Sequence, residues 1–258
     1  MASSASVNGI EIAYEDEGSG EPLVLVHGHP FDRSLWAPQL EEFATAGYRV
    51  IVPDLRGYGH SGVLPGTMPW SLFAEDIAAL LDHLGEPTAT IGGVSMGGQI
   101  TLEFYRLFPQ RVRALILSDT SVYAESEAGK RWRHELADRL LREGLGGYTA
   151  EAIGKMVAPR HTEATARVRA MMLAAPPEGA AAALRARAER PDYTGLLTSI
   201  TVPTLVVVGR EDTYTPVRDA EFIRDRVPGA VLEVIEDCAH LPGVERPEEF
   251  NRVLRRFL

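Results

Sequence analysis

The most informative stretch of the chain reads Ala89-Thr90-Ile91-Gly92-Gly93-Val94-Ser95-Met96-Gly97-Gly98. Its first half is an apolar run, which is typical of a strand buried on both faces of a parallel sheet. A helical pattern begins at Gly98, so Ser95 lies at a sharp turn between a predicted strand and a predicted helix. Such a turn lifts a serine hydroxyl clear of the backbone, while flanking glycines let neighbouring chain pack closely. We interpret Ser95 as a nucleophile, and a glycine-rich turn with an incidental serine is the alternative.

Short apolar runs of this kind recur along the chain. They cover residues 23–26, 50–52, 90–94, 115–117, 205–208 and 231–235. Helical patterns lie between them, at residues 40–46, 73–84, 99–108 and 220–227. Strand and helix in alternation predict an α/β fold with a doubly wound, mostly parallel sheet of about eight strands. An Asn8-Gly9 pair between alternating residues predicts an antiparallel hairpin at its start.

The alternation breaks between residues 121 and 195. That segment carries helical patterns and no strand pattern, with helices predicted at residues 130–143, 150–157, 164–173 and 179–189. We interpret it as a helical cap, inserted after the sixth strand over the sheet edge where open α/β sheets bind ligands. The predicted organisation is a core in two parts, residues 1–120 and 196–258, with the cap at 121–195.

A serine hydroxyl is a weak nucleophile at neutral pH and needs a base. In known enzymes that carry a nucleophilic serine at such a turn, the acid and then the base follow it in the chain. His240 comes after the last apolar run, so it is the predicted base. Asp212 follows the run at 205–208 and is the predicted acid, which holds the imidazole in its productive tautomer. Asp119, after the run at 115–117, is an alternative acid.

Attack on a carbonyl also needs donors aimed at the developing oxyanion. The backbone N–H of Met96, which follows the nucleophile, is one predicted donor. The backbone N–H of His29 is the other, because Gly28 permits the chain to reverse and Pro30 has no N–H to give. The His27 side chain is expected to pin this loop.

Composition excludes several other classes of protein. The 258-residue chain has a net charge of −10, which argues against nucleic acid or an anionic membrane as the main partner. Its single cysteine, Cys238, excludes an intramolecular disulfide and a cysteine-based zinc cluster. No histidine and carboxylate set shows metal-ligand spacing along the chain, so we expect no metal. Residues 1–9 do not look like a signal peptide, and a cytoplasmic monomer or homodimer is expected.

The chain resembles the serine hydrolases of the α/β-hydrolase superfamily over nearly all of its length outside the insertion. The matching segments are His27-Gly28-His29-Pro30, Asp54-Leu55-Arg56-Gly57-Tyr58-Gly59-His60-Ser61, Gly93-Val94-Ser95-Met96-Gly97-Gly98, Gly209-Arg210-Glu211-Asp212, and His240 with Glu245-Arg246-Pro247. Within the superfamily, the chain is most similar to the branch of 3-oxoadipate enol-lactonases and carboxylesterases, with cofactor-free haloperoxidases nearby. The resemblance implies the α/β-hydrolase fold, a helical cap, a triad of Ser95, Asp212 and His240, and hydrolysis without a cofactor.

Two details qualify this resemblance. Ala239 stands where many members carry glycine before the histidine, which is expected to alter that loop only slightly. Dehalogenases and epoxide hydrolases of similar outline carry an aspartate at the turn between strand and helix. Ser95 therefore speaks against both activities.

We expect hydrolysis of a carboxylic ester or lactone of a small molecule through an acyl-enzyme on Ser95. Two alternatives use the same triad: hydrolysis of a C–C bond, and perhydrolysis of the haloperoxidase kind. A ligand-binding member without meaningful turnover is a third alternative, from another class. The side chains predicted to line the pocket, each with core packing as its alternative, are Phe31, Trp36, Tyr123, Trp132, Met156 and Leu241. Arginines that could bind a substrate carboxylate, although helix-face arginines are usually solvated, are Arg131, Arg133, Arg160 and Arg210.

Overall fold

The computed structural model describes residues 3–64 and 66–258, and it contains one mixed sheet of eight strands. In chain order the strands are β1 (Ser3–Val7), β2 (Ile10–Gly18), β3 (Glu21–Val26), β4 (Tyr48–Pro53), β5 (Ala89–Val94), β6 (Val112–Ser118), β7 (Thr204–Gly209) and β8 (Val231–Ile235). Their order across the sheet is β1-β2-β4-β3-β5-β6-β7-β8. Pairing is antiparallel from β1 to β2 and from β2 to β4, and parallel across the rest. The predicted fold class is therefore confirmed.

Local chemistry explains the two kinds of pairing. Asn8 and Gly9 both hold positive φ, 43° and 80°, as a tight turn between antiparallel strands requires. Strands β5 and β7 lie inside the sheet and are buried along their whole length. Their nearly continuous apolar sequences suit a position covered on both faces.

Ten α-helices accompany the sheet in the described residues. They are α1 (Ala37–Thr45), α2 (Leu72–His83), α3 (Met96–Leu107), α4 (Glu127–Glu143), α5 (Gly146–Met156), α6 (Thr162–Ala174), α7 (Pro177–Ala188), α8 (Val217–Arg224), α9 (Pro242–Glu245) and α10 (Pro247–Phe257). Eight of them match predicted helical patterns, whereas α9 and α10 were not predicted. Among the described residues, no helix is both long enough and apolar enough to cross a membrane.

Helices α4 to α7 all lie between β6 and β7, and we refer to them as the insert. Within the insert α4 packs along α7, whose alanine-rich face is buried. The start of α7 touches the loop after β4 through backbone alone, since a Cβ on Gly179 would lie 1.7 Å from the Gly57 carbonyl oxygen. On the far side, the Ala158 N–H donates to Glu245 at 2.8 Å. The insert is thus tied to the core on both sides, while its division from the core as a separate cap domain stays a prediction.

The contact between Gly179 and Gly57 gives a test of how tightly the insert packs. We expect Gly179→Ala to lower the free energy of unfolding by about 1–3 kcal/mol, because the added methyl meets backbone that cannot move aside. Gly154→Ala is the matched control: that glycine lies exposed in α5 with open space around it, so alanine should stabilise by about 0.5–1 kcal/mol. Urea unfolding of both variants measures the difference. Equal stability of the two would contradict the close packing.

Candidate active site

Ser95 occupies a strained turn between β5 and α3, with φ 56° and ψ −115°. Glycines make the turn possible. A Cβ on Gly93 would lie 2.3 Å from the carbonyl carbon of Gly97, and a Cβ on Gly97 would lie 2.1 Å from the carbonyl oxygen of Val26. The sharp strand-to-helix turn predicted from the sequence is confirmed.

The end of β6 holds this strained residue in place. The Ser95 N–H donates to the Ser118 carbonyl at 3.0 Å, and the Ser95 carbonyl accepts from the Thr120 hydroxyl at 2.7 Å. A positive φ at a non-glycine residue costs on the order of 1–3 kcal/mol and persists only where its surroundings enforce it. The hydrogen bonds to the end of β6 therefore hold Ser95 at a positive φ that it would not adopt without them.

His240 and Asp212 form a buried pair at the carboxyl ends of the last two strands. The His240 Nδ1 lies 2.7 Å from Asp212 Oδ2, and both side chains are almost wholly inaccessible. Asp212 Oδ2 also accepts from the Thr215 hydroxyl at 2.6 Å, while Oδ1 accepts from the Tyr214 N–H at 2.7 Å. These bonds leave the Asp212 carboxylate little freedom to rotate.

Charge in this pair is well defined. Burial by itself would raise the pKa of Asp212, but the facing His240 and the bonds from Thr215 outweigh burial and lower that pKa to about 2. An ionised carboxylate can only accept hydrogen bonds, so the shared proton belongs to His240 Nδ1. The Nε2 atom of the neutral ring is then left as a proton acceptor, as a general base requires.

Glu245 organises the loop that carries His240. Its buried carboxylate accepts from the N–H groups of Ala239, at 3.0 Å, and Leu241, at 3.1 Å, on either side of the histidine. The His240 N–H itself donates to the Met156 carbonyl of α5 at 3.2 Å. The insert therefore helps to fix the position of the candidate base.

Asp119, the alternative acid, lies next to this pair without bonding to the histidine. Its Oδ1 accepts from the Gly209 N–H at 2.9 Å, and its Oδ2 lies 2.6 Å from the Ser118 hydroxyl. Burial first, and then the negative charge of Asp212, hold the pKa of Asp119 well above its usual range. The pKa values of these two adjacent carboxyl groups are thus shifted in opposite directions, and Asp212 is the one that bonds to His240, which favours Asp212 as the acid.

The same cluster qualifies the metal prediction. One polar atom each from Asp119, Asp212 and His240 lie within 4.8 Å of one another, at separations that metal ligands can have. Spacing along the chain could not show this cluster, because its members follow three different strands. The hydrogen bonds described above account for these three side chains, and we assign no metal to them.

The loop after β3 lies directly against the nucleophile turn. A Cβ on Gly28 would lie 3.0 Å from the Val94 carbonyl oxygen and 3.3 Å from the Ser95 Cβ. His29 follows in this loop, and Met96 opens α3, where the first N–H groups have no partner within the helix. The structure thus brings both predicted oxyanion donors beside Ser95, and their role stays a prediction.

Two buried histidines behave differently in that loop. His27 donates from Nδ1 to the Gly28 carbonyl at 2.8 Å and accepts at Nε2 from the Leu55 N–H at 3.0 Å, which confirms that it pins the loop. His29 shares a 2.7 Å hydrogen bond with the Tyr58 hydroxyl through Nδ1, while its Nε2 is buried without a partner among the described residues. Burial first, and then nearby arginines, hold the pKa of His29 well below its usual range, so the ring is neutral.

Ser95, His29 and His240 line one cavity of about 290 Å³ beneath the insert. Three of the predicted pocket residues lie in its wall: Tyr123, Trp132 and Met156. Their contact with substrate stays a prediction. The sequence reasoning did not identify several other residues of the wall: Ser121, Glu125, Tyr148, Leu184, Arg187, Arg190, Tyr214, Thr215 and Asp219.

The other three predicted pocket residues, Phe31, Trp36 and Leu241, do not line this cavity. Each is at most 2% exposed and belongs to the hydrophobic core. Trp36 packs against Phe250 of α10, with 6.0 Å between ring centroids. Helix α10 was not predicted from the sequence, so the packing of Trp36 against Phe250, away from the cavity, was not predictable either.

Of the four arginines considered for binding a substrate carboxylate, only one lies in the cavity wall. Arg133 lines the cavity, whereas Arg131 is exposed. Arg160 pairs with Glu211 and Asp237, and Arg210 pairs with Glu236 at 2.7 Å, all at the surface.

Comparison with known proteins agrees with this geometry. The chain matches the model of the alpha/beta hydrolase family over residues 23–253. It is 32% identical to 3-oxoadipate enol-lactonase 2 of Acinetobacter baylyi, over 96% of this chain and 94% of that one. It is also 32% identical to a 2-hydroxy-6-oxononadienedioate/2-hydroxy-6-oxononatrienedioate hydrolase of Burkholderia vietnamiensis, over 96% and 91%. The structure of a thermophilic esterase from Thermogutta terrifontis, with malate bound, shares 40% identity and a TM-score of 0.96 over 99% of this chain and 97% of that one.

Likeness of this extent shows that the protein is an enzyme whose relatives include esterases and enol-lactonases. More narrowly, the chain belongs to the alpha/beta hydrolase family. The predicted family and the prediction of an enzyme are both confirmed.

Replacing each of the two carboxyl groups near His240 should affect activity very differently. We expect Asp212→Asn to lower kcat for para-nitrophenyl butyrate by about 10⁴-fold, because an amide no longer selects the productive histidine tautomer. We expect Asp119→Asn to stay within about tenfold of wild type, since asparagine resembles the protonated acid. Steady-state kinetics of both variants decides between them, and the reverse ranking would make Asp119 the acid.

The lowered pKa of Asp212 also predicts how stability depends on pH. An unfolded aspartate has a pKa near 3.9, and the folded value is about 2. The ionised form therefore stabilises the fold above about pH 4, and this contribution is lost as pH falls toward 2. We expect the stability gap between wild type and Asp212→Asn to shrink across that range in urea unfolding. A gap independent of pH would contradict the assignment of charge.

Proposed function

We propose that the protein hydrolyses a carboxylic ester or lactone of a small molecule through an acyl-enzyme on Ser95. The observation that carries the proposal is the 2.7 Å bond between His240 Nδ1 and Asp212, at a cavity whose wall contains both His240 and Ser95. This bond prepares Nε2 to accept a proton, and Ser95 is the hydroxyl presented by the strained turn.

In the first step His240 Nε2 takes the proton of Ser95 Oγ while Oγ bonds to the substrate carbonyl carbon. The carbonyl oxygen becomes an oxyanion, held by the backbone N–H groups of His29 and Met96. The positive end of α3, which begins at Met96, adds to this stabilisation. One such donor contributes about 10²- to 10³-fold to kcat.

The second step completes the reaction. His240 gives its proton to the departing alcohol, or to the ring oxygen of a lactone, and the acyl group stays on Ser95. Water then loses a proton to His240 and attacks the acyl carbon. The acid departs as Ser95 Oγ takes that proton back from His240, which restores the serine. Residues of the chain make every proton transfer, so the proposed mechanism is cofactor-free.

Other reactions of the same triad were predicted as alternatives: C–C bond hydrolysis and perhydrolysis. The name of the relative from Burkholderia vietnamiensis specifies an oxo-dienedioate as its substrate, which supports C–C bond hydrolysis of a keto substrate as an alternative. Turnover of an ester, a lactone and a diketone panel separates these reactions, because the triad is common to them all. The proposals of a cytoplasmic location and of a monomer or homodimer rest on the sequence alone.

A fluorophosphonate tests the nucleophile directly, because it reacts only with an activated serine. We expect one adduct by intact mass, mapping to Ser95 and absent from Ser95→Ala. His240→Ala should slow labelling by about 10²-fold or more, since the base is gone. Ser199→Ala, which removes an exposed serine hydroxyl, is the control and should label as wild type does.

Two results would count against the proposal. Wild type that forms no adduct would mean that the serine is inactive, and the ligand-binding alternative would then be preferred. Labelling that does not depend on His240 would mean that another group activates Ser95.

A further inference from the structure

The active-site cavity carries an excess of positive charge. Its wall includes three arginines, Arg133 on α4, Arg187 on α7, and Arg190 just after α7. A single carboxylate, Glu125, pairs with Arg133 and with Arg190 Nη1, the latter at 3.1 Å. Three guanidinium groups therefore face one carboxylate, which leaves an excess of two positive charges at this part of the wall.

Hydrogen bonds tie Arg187 to the turn that carries Ser95, and no carboxylate neutralises its charge in the described residues. Its Nε donates to Gln99 Oε1 at 2.7 Å, and Gln99 Nε2 donates in turn to the Ser121 hydroxyl at 3.2 Å. Gln99 lies in the first turn of α3, and its own N–H donates to the Ser95 carbonyl at 3.2 Å. Among residues 3–64 and 66–258, no carboxylate pairs with Arg187. Its guanidinium is thus fixed beside Ser95 with its charge uncompensated.

A second observation points to a missing acceptor. Arg190 lines the cavity and is only 6% exposed. Its Nε is buried and has no hydrogen-bond partner among the described residues. An unpaired buried N–H carries a free-energy cost. Glu125 accepts from Arg190 Nη1, whereas no described residue accepts from Arg190 Nε.

The electrostatics of the wall agree with this geometry. Burial first, and then repulsion from Arg133 and Arg190, hold the pKa of Arg187 well below its usual range. The remaining carboxylate of the wall, Asp219, has its own cation, Arg218, at 3.8 Å. An anion inside the cavity would offset the mutual repulsion of the arginines.

We propose that the substrate bears a carboxylate on its acyl part, which binds to Arg187 with Arg133 and Arg190 beside it. This inference rests on the proposed ester or lactone hydrolysis at Ser95. A guanidinium offers parallel N–H groups that match a carboxylate, and a partly closed cavity strengthens the pair because less water competes for either group. Neutral esters of the same size lack this contact. The arginines therefore select esters or lactones whose acyl part carries one free carboxylate.

A matched pair of esters tests the inference. The anionic probe is mono-para-nitrophenyl glutarate, and the neutral probe is its methyl ester, with spontaneous hydrolysis subtracted from both. We expect kcat/KM of wild type to favour the anionic probe by about tenfold or more, and Arg187→Gln to lower this preference by a similar factor. Arg187→Lys should restore part of the preference, since it keeps the charge and loses the paired donors.

Arg185→Gln is the control, because Arg185 lies on the same helix but pairs with Asp138 outside the cavity wall. It should leave the preference unchanged. A wild type that hydrolyses the neutral probe as well as the anionic one, or equal effects of the Arg185 and Arg187 substitutions, would overturn the inference and leave the proposed function standing.

A binding measurement keeps the two proposals separable if neither ester is turned over. In that case failure to label Ser95 would reject the proposed function. Calorimetric titration with glutarate and with dimethyl glutarate would then decide the inference. Binding of glutarate alone, weakened about tenfold or more by Arg187→Gln but not by Arg185→Gln, supports it. No binding of glutarate to wild type overturns it.

Discussion

The close approach of backbone at the turn between β5 and α3 is the constraint on which the rest of the site depends. Ser95 adopts a positive φ that a serine avoids, and it can do so because Gly93 and Gly97 let the chain fold back on itself and on the end of β3. The Ser95 N–H donates to the Ser118 carbonyl and the Thr120 hydroxyl donates to the Ser95 carbonyl, and these two bonds hold the conformation. A side chain at Gly97 would push α3 away from the end of β3, and one at Gly93 would push α3 away from β5, so the candidate oxyanion donors would move relative to the Ser95 hydroxyl.

Electrostatic differentiation is the second feature of the site. Asp119 and Asp212 lie close together at the ends of β6 and β7, yet their environments shift their pKa values in opposite directions. Asp212 has the imidazole of His240 and the Thr215 hydroxyl to favour its charge, whereas Asp119 has deep burial and a negative neighbour. Asp212 therefore holds the histidine through its hydrogen bond, while the raised pKa of Asp119 disfavours a second negative charge beside it.

The insert contributes to the site in two physical ways. It closes the cavity over the strand ends, and it fixes groups that belong to the core, since the Met156 carbonyl accepts from the backbone of His240. Its helix α7 meets the loop after β4 at Gly179 and Gly57, where the backbones lie close together, and Arg187 of the same helix donates to Gln99 at the start of α3. The charge of the cavity is thus set by the insert, whereas the reacting groups are set by the sheet.

The sequence by itself determined the sheet, the four helices of the insert and the turn at Ser95. It also predicted His240 as the base and Asp212 as the acid that act with Ser95. Each of these depends on local pattern, because apolar periodicity marks strands and helices, and the residue after a parallel strand must lie at the sheet's carboxyl edge. The sequence already favoured Asp212 over Asp119 as the acid, and the hydrogen bond to His240 together with the opposite pKa shifts supports that choice.

Tertiary structure alone decided which side chains face the cavity. Phe31, Trp36 and Leu241 lie near the catalytic loops in sequence, but α10 and the core cover them. Arg187 and Arg190 carry no local pattern that distinguishes them from a solvated arginine such as Arg185. Their position follows from how closely α7 packs on the loop after β4, and that distance depends on contacts between residues more than a hundred positions apart in the chain.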